Sequence, residues 1–294
     1  MPTITALPAW FKQKIPDTKK IKEMKDSFRE LNLHTVCESA HCPNMGECWG
    51  RGTATFMILG DVCTRACRFC AIEAGRPLAA DRKEPRHIAE AIQKLRLRYV
   101  VITSVARDDL PDEGAGHFAE TIIETRRLIP RIKIEVLIPD LSAKIENLKI
   151  IIDARPEVIS HNIETVRRLS PLVRPQADYG RSLDVLKIIQ QSPGCILIKS
   201  SLMVGLGESA EEAAETMDDL LKAGCDILTI GQYLAPSASK RHLPVQRFIT
   251  PEEFERYRDL GLTLGFKHVE SGPLVRSSYI AEKGYDEALK NVRV

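Results

Sequence analysis

The residues with the clearest chemical potential are three cysteines, Cys63, Cys67 and Cys70, which follow a Cys-x3-Cys-x2-Cys spacing. Three thiolates can bind three irons of a [4Fe–4S] cluster and leave the fourth iron open to another ligand, whereas a four-cysteine site closes every iron and serves electron transfer. The alternative metal is zinc, which needs four ligands in a tetrahedral array. No nearby His or Cys supplies the fourth ligand at a usual spacing. The spacing therefore favours an iron–sulfur cluster with one open iron.

A similar group of cysteines stands 15 residues earlier, where Cys37, Cys42 and Cys48 follow a Cys-x4-Cys-x5-Cys spacing. We call these three the first triad, and Cys63, Cys67 and Cys70 the second triad. No fourth cysteine is close, and His41 is a poor candidate because adjacent side chains chelate one metal awkwardly. The first triad therefore predicts a second cluster. The two remaining cysteines lie in or beside apolar segments and are predicted to be core thiols: Cys195 and Cys225.

The composition excludes several other classes of protein. The 294 residues carry 42 Lys and Arg against 40 Asp and Glu, a net charge of +2, whereas a dedicated nucleic-acid binder usually has a strong basic excess. No apolar run approaches the ~18 residues of a membrane span, and the first residues lack a signal-peptide pattern. We therefore expect a cytoplasmic protein that binds neither nucleic acid nor membrane. In that reducing compartment, clustered cysteines are expected to bind metal rather than form disulfides.

Apolar, strand-like runs alternate with amphipathic helical segments from residue 53 onward, after an N-terminal part that is predicted to be irregular. Strands are predicted at 54–60, 99–105, 132–138, 158–163, 196–204 and 227–234, and helices at 85–97, 116–129, 142–153, 182–191, 209–223 and 251–264. This alternation is typical of βαβ units and a parallel sheet. Six strands favour a partial (β/α)6 TIM-type barrel over a complete eight-stranded one. The competing architecture is a doubly wound open sheet.

Both architectures place ligands at the carboxyl ends of the strands, and the first predicted strand ends just before Cys63. The absence of a Gly-x-Gly-x-x-Gly after that strand weakens a dinucleotide-binding hypothesis. This position of the second triad resembles the radical S-adenosylmethionine (SAM) superfamily. The first triad and the late Arg276-Ser277-Ser278-Tyr279 narrow the resemblance to the lipoyl synthase family. The likeness runs almost the whole length and includes segments 43–49 (PNMGECW), 103–105 (TSV), 107–110 (RDDL), 135–140 (EVLIPD), 161–166 (HNIETV), 203–208 (MVGLGE) and 231–234 (GQYL).

The resemblance implies an enzyme whose cofactors are two [4Fe–4S] clusters and SAM. In the superfamily the amino and carboxylate groups of SAM chelate the open iron, and one-electron reduction releases a 5′-deoxyadenosyl radical. Such a radical abstracts hydrogen from aliphatic C–H bonds, which ordinary acid–base catalysis cannot activate; the cofactor carries that chemistry and the protein orients it. In the family, two sulfur atoms enter at C6 and C8 of an octanoyl chain, which is carried on a lysine of a lipoyl-carrier protein. The auxiliary cluster at the first triad is the implied sulfur donor.

The resemblance also assigns the fourth ligand of the auxiliary cluster to Ser278, with Ser277 as the fallback. A serine alkoxide is a hard and unusual iron ligand, so its bond should be more labile than a thiolate bond, which suits a cluster that is consumed. Arg276 is expected to guide substrate or to gate Ser278. The implied partners are an octanoylated carrier protein (an E2 lipoyl domain or the glycine-cleavage H protein), an electron donor such as flavodoxin or ferredoxin, and an iron–sulfur carrier for cluster repair.

Residues at the ends of the predicted strands are expected to hold SAM. Asn162 and Glu164 alternate on one predicted strand, so both are expected to point into the barrel. Arg174 and Lys199 are candidates to pair with the methionine carboxylate, with ordinary ion pairing as the alternative. The full set of candidates is Thr103, Ser104, Asn162, Glu164, Arg174, Ser182, Lys199, Met203 and Gly205.

Three parts are predicted along the chain: an N-terminal extension (1–52) with the auxiliary-cluster triad, the partial barrel (53–266), and a C-terminal extension (267–294) that covers the barrel mouth with the Arg-Ser-Ser-Tyr motif. Two alternatives stay open at this point. One is another two-cluster radical enzyme, such as one that attaches a methylthio group, but an extra RNA-binding domain and a third cysteine-rich region are not visible. The other is a non-enzymatic iron–sulfur electron carrier or a zinc-stabilised module, against which two open triads argue.

Overall fold

The arrangement of strands and helices comes from a computed structural model, which describes residues 7–11, 18–31, 33–40, 42–194 and 196–291. The strands, in chain order, are β1 (His34–Thr35), β2 (Thr53–Ile58), β3 (Val62–Cys63), β4 (Glu73–Ala74), β5 (Tyr99–Ser104), β6 (Lys133–Leu137), β7 (Val158–Ser160), β8 (Leu197–Val204), β9 (Ile227–Gln232) and β10 (His268–Gly272). The α-helices are α1 (Thr18–Glu30), α2 (Val36–Ser39), α3 (Met45–Gly50), α4 (Glu84–Lys94), α5 (Ala115–Leu128), α6 (Ile145–Asp153), α7 (Ser170–Val173), α8 (Tyr179–Gln190), α9 (Ala210–Lys222), α10 (Pro251–Leu264) and α11 (Ala281–Lys290).

One sheet organises the chain, in the order β1-β2-β5-β6-β7-β8-β9-β10. The seven strands from β2 onward pair in parallel, and β1 adds an antiparallel edge to β2. Helices connect the parallel strands, as βαβ units require. In the ranges that the structure describes, the sheet begins at β1 and ends at β10 without pairing between these edges. Because the strand order follows the chain without reversing, the sheet is not doubly wound, and the α/β architecture of a partial barrel is confirmed.

The parallel strands are buried on both faces, which explains their nearly continuous apolar sequences. In β5, Val100 and Ile102 pack in the large core beneath the helices, whereas Tyr99 and Val101 belong to a second apolar cluster on the other face. The following helices have their own start signals. In α9, for example, Ser209 and Glu212 form a reciprocal capping box that satisfies amide groups of the first turn.

The prediction that residues 1–52 are irregular is wrong for the described part of that segment. Helix α1 buries Met24 and Phe28, which are spaced one helical turn apart. The Phe28 ring packs edge-to-face on Trp49 and on Phe56, with centroid separations of 5.5 and 5.4 Å. The high charge of α1 concealed this narrow apolar stripe in the sequence. These contacts fix the N-terminal segment against β2 and thus next to the barrel.

A seventh parallel strand, β10, was absent from the predicted six. It pairs with β9 from His268↔Ile227 to Gly272↔Gly231, and the polar sequence His-Val-Glu-Ser-Gly hid it. After β10 the chain crosses the carboxyl ends of the strands, where the Val275 carbonyl lies against Gly231. Helix α11 then packs against residues at the opposite, amino ends of the strands. The C-terminal extension therefore reaches both ends of the barrel rather than the mouth alone.

The division at 1–52, 53–266 and 267–294 stays a prediction, although β10 belongs to the sheet and follows the second boundary. Within the described ranges, no helix has both the length and the apolar character that a membrane crossing requires. Two residues considered in the sequence, His41 and Cys195, lie outside the described residues.

Candidate active site

The second triad lies in the loop that leaves the carboxyl end of β2. The chain turns through Leu59 and Gly60, both with positive φ, and Cys63 then pairs with Ala74 in the short β3–β4 ladder. The Cys63 sulfur accepts backbone N–H groups of Arg65 and Ala106 at 3.4 and 3.3 Å. These two contacts fix the position of the Cys63 sulfur at the start of the loop.

Contacts from distant parts of the chain hold this loop in place. The Arg68 amide donates to the Val173 carbonyl at 2.9 Å. From the segment after β9, the His242 ring donates to the Cys70 carbonyl at 3.0 Å and the Arg241 guanidinium to the Ile72 carbonyl at 2.6 Å. The sequence did not predict the contacts of His242 and Arg241, because they bind backbone carbonyl groups, which every residue type has.

A partly buried ionic network anchors the same loop and was also missed. Arg65, inside the second triad, donates to Asp108 at 2.9 Å and to Asp140 at 2.8 Å. Arg181 approaches the other oxygen of Asp140 at 3.0 Å. Burial alone would raise the pKa of Asp140, but the hydrogen bond and positive charge of Arg65 outweigh it and lower the pKa. Asp108 and Asp140 follow β5 and β6, so their position just past strand ends was the available signal.

Four of the predicted SAM-binding residues come together near the second triad. Arg174 donates to the Asn162 carbonyl at 3.1 Å and to the Ser182 hydroxyl at 3.0 Å, and the Asn162 amide donates to Glu164 at 3.0 Å. The charges of Glu164 and Arg174 both act on Cys67, whose pKa is raised to about 12, chiefly by burial. Asn162 and Glu164 are not on a strand as predicted, because β7 ends at Ser160; they meet in the following loop, where Glu164 has a φ of 66°.

Unpartnered polar atoms in this region indicate that a ligand completes it. Among the described residues, the following buried atoms have no hydrogen-bond partner: Asn162 Oδ1, Arg174 Nε, His161 Nε2 and Ser104 Oγ. Buried polar groups are normally satisfied, and both donors and acceptors are open here. SAM, with its amino, carboxylate, ribose and base groups, has the complementary chemistry. His161 was not among the predicted binding residues.

The remaining predicted SAM-binding residues lie outside the group formed by Asn162, Glu164, Arg174 and Ser182. The Thr103 hydroxyl donates to the Leu137 carbonyl at 2.8 Å, and Met203 is half-buried near the end of β8. Gly205 has a φ of 98°, and a Cβ there would lie 2.0 Å from the Gln232 amide, so glycine is needed for the fold itself. Lys199 lies near the amino end of β8 and pairs with Glu135 at 2.8 Å; both are almost fully buried. The ordinary ion pair weighed for Lys199 is therefore what the structure contains.

The first triad surrounds a small cavity beside the barrel. Cys37 lies in α2, Cys42 follows it and Cys48 lies in α3. Burial raises the pKa of Cys37 to about 11 and that of Cys48 to about 12. Burial also raises the pKa of Cys42, against the opposing charge of Arg276. Iron bound here would supply the positive charge that favours the deprotonated form of such buried thiols. The cavity is lined by Cys37, Cys42, Asn44, Met45, Cys48, Thr53, Thr55, Arg276, Ser278 and Tyr279.

The C-terminal extension brings Ser278 into this cavity. The Asn44 amide donates to the Leu274 carbonyl at 2.6 Å, and the Tyr279 hydroxyl to Glu47 at 3.1 Å. These two contacts bracket Ser278, whose oxygen accepts a hydrogen bond from Thr55 at 3.0 Å. Ser278 lines the cavity and its neighbour Ser277 does not.

Each triad offers thiols and an incomplete ligand set, which fits an iron–sulfur cluster. In the described ranges, no three His, Cys, Asp or Glu side chains are grouped to hold one metal ion. A four-iron cluster separates its thiolates further than a single ion does, because each thiolate binds a different iron.

Comparisons with known proteins identify the family. Residues 57–220 match the Radical SAM superfamily, and residues 3–42 match the N-terminal domain of lipoyl synthase of the Radical_SAM family. The lipoyl synthase of Rubrobacter xylanophilus is 56% identical over 281 residues, which cover 96% of this chain and 87% of that protein. The lipoyl synthase of Phocaeicola vulgatus is also 56% identical, over 276 residues that cover 94% of this chain and 96% of that protein.

Solved structures agree with the fold at low identity. Streptococcus suis SuiB bound to S-adenosylmethionine superposes with a TM-score of 0.54 at 14% identity, covering 82% of this chain and 56% of that one. Methylornithine synthase superposes with a TM-score of 0.52 at 13% identity, covering 87% and 79%. The near-full-length relatives decide against the methylthio-transferring and electron-carrier alternatives. The chain is an enzyme and belongs to the lipoyl synthase family of the radical SAM superfamily.

Proposed function

We propose that this enzyme inserts sulfur at C6 and C8 of an octanoyl group, which is carried on a lysine of a carrier protein, and that the cluster at the first triad is the sulfur donor. The observation that carries the proposal is the presence of Ser278 in the cavity of the first triad, 230 residues after Cys48 in the sequence. An enzyme that only generated radicals would need the second triad alone. A separate cavity lined by three cysteines, with a hydroxyl as its fourth donor, is suited to a cluster that opens during the reaction.

Family membership implies SAM and [4Fe–4S] clusters as cofactors, and we propose two clusters. Cys63, Cys67 and Cys70 would hold the first of them, and Cys37, Cys42, Cys48 and Ser278 the auxiliary one. When bound, reduced cluster and SAM together supply a radical able to abstract hydrogen from an unactivated C–H bond.

The residues of the mouth would orient SAM. The buried Arg174 guanidinium, held by Asn162 and Ser182, retains an unpartnered Nε. A carboxylate is the natural partner of such a cation. Glu164 and the open Asn162 oxygen offer acceptors for an amino or ribose group. The neighbouring strand ends would contribute Thr103, Ser104, Met203 and Gly205. Lys199 would act indirectly, by pairing with Glu135 inside the barrel.

Arg276 would position the substrate chain between the two sites. Its guanidinium donates to the Val275 and Gln232 carbonyls at 2.8 and 3.4 Å, and its charge acts on Cys42. A cation fixed at this point gates access to Ser278. The buried Gln232 and Val275 beside it would limit the access of water, which would protect a radical from side reactions.

The proposed partners follow from this chemistry. A protein of this family takes an octanoylated carrier protein as its substrate; we propose an E2 lipoyl domain or the glycine-cleavage H protein. A flavodoxin or ferredoxin in the cytoplasm would supply electrons, and an iron–sulfur carrier would rebuild the consumed auxiliary cluster.

The test separates radical generation from sulfur insertion. The chain is reconstituted anaerobically and given SAM, a reductant and an octanoyl-lysyl peptide, and 5′-deoxyadenosine and peptide mass are followed. We expect the wild-type product to gain two sulfurs and lose two hydrogens. Cys42→Ala and Ser278→Ala should retain SAM cleavage and lose sulfur insertion, whereas the matched control Ser277→Ala should retain both. Wild-type sulfur insertion by Cys42→Ala would contradict the proposal.

A further inference from the structure

A threonine on the first parallel strand contacts both sides of the auxiliary-cluster cavity. Thr55 lies in β2 and is 5% exposed, and its hydroxyl donates to the Ser278 oxygen at 3.0 Å. These residues are 223 positions apart in the sequence. Thr55 also lines the same cavity as Cys37 and is close enough to the Cys37 thiol to lower its pKa against the effect of burial. One barrel residue therefore joins a cysteine of the N-terminal extension to the serine of the C-terminal extension.

The backbone of Thr55 is fixed far more firmly than that of Ser278. Thr55 pairs with Val101 in the parallel ladder, while its neighbour Phe56 pairs with Thr35 on the other side. A β-branched side chain has few χ1 rotamers, so the strand backbone sets the position of the Thr55 hydroxyl. Ser278, in contrast, lies in the irregular segment between β10 and α11.

The anchors on either side of Ser278 act through other residues. Leu274 is held by Asn44, and Tyr279 contacts Glu47, but neither contact orients the serine hydroxyl. The hydrogen bond from Thr55 is the contact that places the oxygen itself. The bond is part-buried, with Thr55 itself buried, so water only partly replaces a lost partner.

We propose that Thr55 is a positioning residue that holds Ser278 against the first triad, so that the barrel strand sets the place of the fourth ligand to the auxiliary cluster. The inference rests on the proposed function, because it takes Ser278 as that ligand. Thr55 does not itself bind iron. It reduces the freedom of the serine and so lengthens the life of the serine-ligated cluster.

The test measures how fast the auxiliary cluster loses iron. The full-length chain with both clusters is mixed anaerobically with an iron chelator, and the phase that disappears in Cys42→Ala is assigned to the auxiliary cluster. Loss of one net hydrogen bond changes an equilibrium or rate about fivefold. We therefore expect Thr55→Val to release auxiliary iron about fivefold faster than wild type, and Thr55→Ser, which keeps the hydroxyl, to stay within about twofold.

Two controls separate positioning from general loss of stability. Thr229 is a buried threonine in β9 whose hydroxyl has no partner among the described residues, so Thr229→Val should leave auxiliary iron release unchanged. Iron release from the second triad should be unchanged in every Thr55 variant. Ser278→Ala should release auxiliary iron at least as fast as Thr55→Val.

The outcomes distinguish this inference from the proposed function. If Ser278→Ala accelerates release and Thr55→Val does not, the role of Thr55 is overturned while serine ligation stands. If Ser278→Ala itself releases iron at the wild-type rate, serine ligation is wrong and the inference is overturned with it. Equal acceleration by Thr55→Val and Thr229→Val would show a general packing effect and would also overturn it.

Discussion

Replacing Gly231 by alanine should displace the segment that carries the serine motif. Gly231 lies in β9, and a Cβ added there would sit 2.1 Å from the Val275 carbonyl oxygen, whereas real Cβ atoms essentially never approach another heavy atom closer than 3.0 Å. The Val275 carbonyl must therefore move by at least the difference, 3.0 − 2.1 = 0.9 Å. Gly231 is held in the ladder by β10, and the irregular segment is the part that can yield.

The displacement is large enough to disturb Ser278, three residues beyond Val275. The bond from Thr55 to Ser278 measures 3.0 Å, so a shift of 0.9 Å that is fully transmitted along the bond would lengthen it to 3.9 Å. A contact of that length is no longer a hydrogen bond. Overpacking of this kind costs about 1–3 kcal/mol, and a cost of about 1.4 kcal/mol, in the lower half of that range, corresponds to a tenfold change.

We therefore expect Gly231→Ala to lower the yield of sulfur-inserted peptide about tenfold and to accelerate iron release from the auxiliary cluster. SAM cleavage, which uses the second triad, should stay within about twofold. The assays are peptide mass, 5′-deoxyadenosine and chelator kinetics. Gly50→Ala is the matched control, because a Cβ there meets nothing within 4 Å. Wild-type yield from Gly231→Ala, with a fully retained auxiliary cluster, would refute the reasoning.

Three further predictions concern the barrel. Asp140→Asn removes a buried charge beside Arg65 and should lower the free energy of unfolding in urea by about 1.5–3 kcal/mol. The control Asp153→Asn, in an exposed pair with Lys149, should change that free energy little. Equal effects of the two substitutions would show that the ionic network around Asp140 does not stabilise the fold. Lys199→Met leaves the buried Glu135 without its cation and should lower the free energy of unfolding by about 3–5 kcal/mol. Adding Glu135→Leu should recover most of that loss. If the losses of the two substitutions simply add in the double variant, the two side chains do not stabilise each other. Burial lowers the pKa of His161 to about 4 from 6.5, so the unfolded chain takes up a proton between these values and the native chain does not. The unfolding free energy should then fall as pH drops through that window, by up to about 1.4 kcal/mol per pH unit. His161→Asn should reduce this dependence on pH. An unchanged dependence in the variant would show that His161 is not the group responsible.

The sequence predicted the features that depend on local patterns. Runs such as Tyr99–Ser104 have the apolar, β-branched character of buried parallel strands. The close spacing of the cysteines in each triad is what a cluster with three thiolate ligands requires. Every strand and helix predicted between residues 53 and 264 has an observed counterpart whose ends lie within a few residues, whereas the short β3, β4 and α7 were not predicted. The fold class is confirmed for this reason.

Features that depend on long-range partners were not predictable. Lys199 was a candidate for a carboxylate of SAM, but its partner Glu135 lies 64 residues away and no spacing links them. In the sequence, Thr55 does not differ from an ordinary strand threonine, and only the fold places Ser278 next to it. Strand β10 exists because β9 offers a free edge, although its own sequence is polar. In each case the neighbour across the fold, rather than the local sequence, sets the role of the residue.

Our central proposal is that the first triad, with Ser278, holds the cluster whose sulfur reaches the substrate. The most direct test loads the clusters with heavy-isotope sulfide, removes free sulfide, and supplies SAM, a reductant and octanoyl-lysyl peptide in buffer of natural isotope content. We expect both sulfurs of the product to carry the heavy isotope, with one product formed per chain and none in Cys42→Ala. Product sulfur of natural isotope content, or labelled product from Cys42→Ala, would contradict the claim.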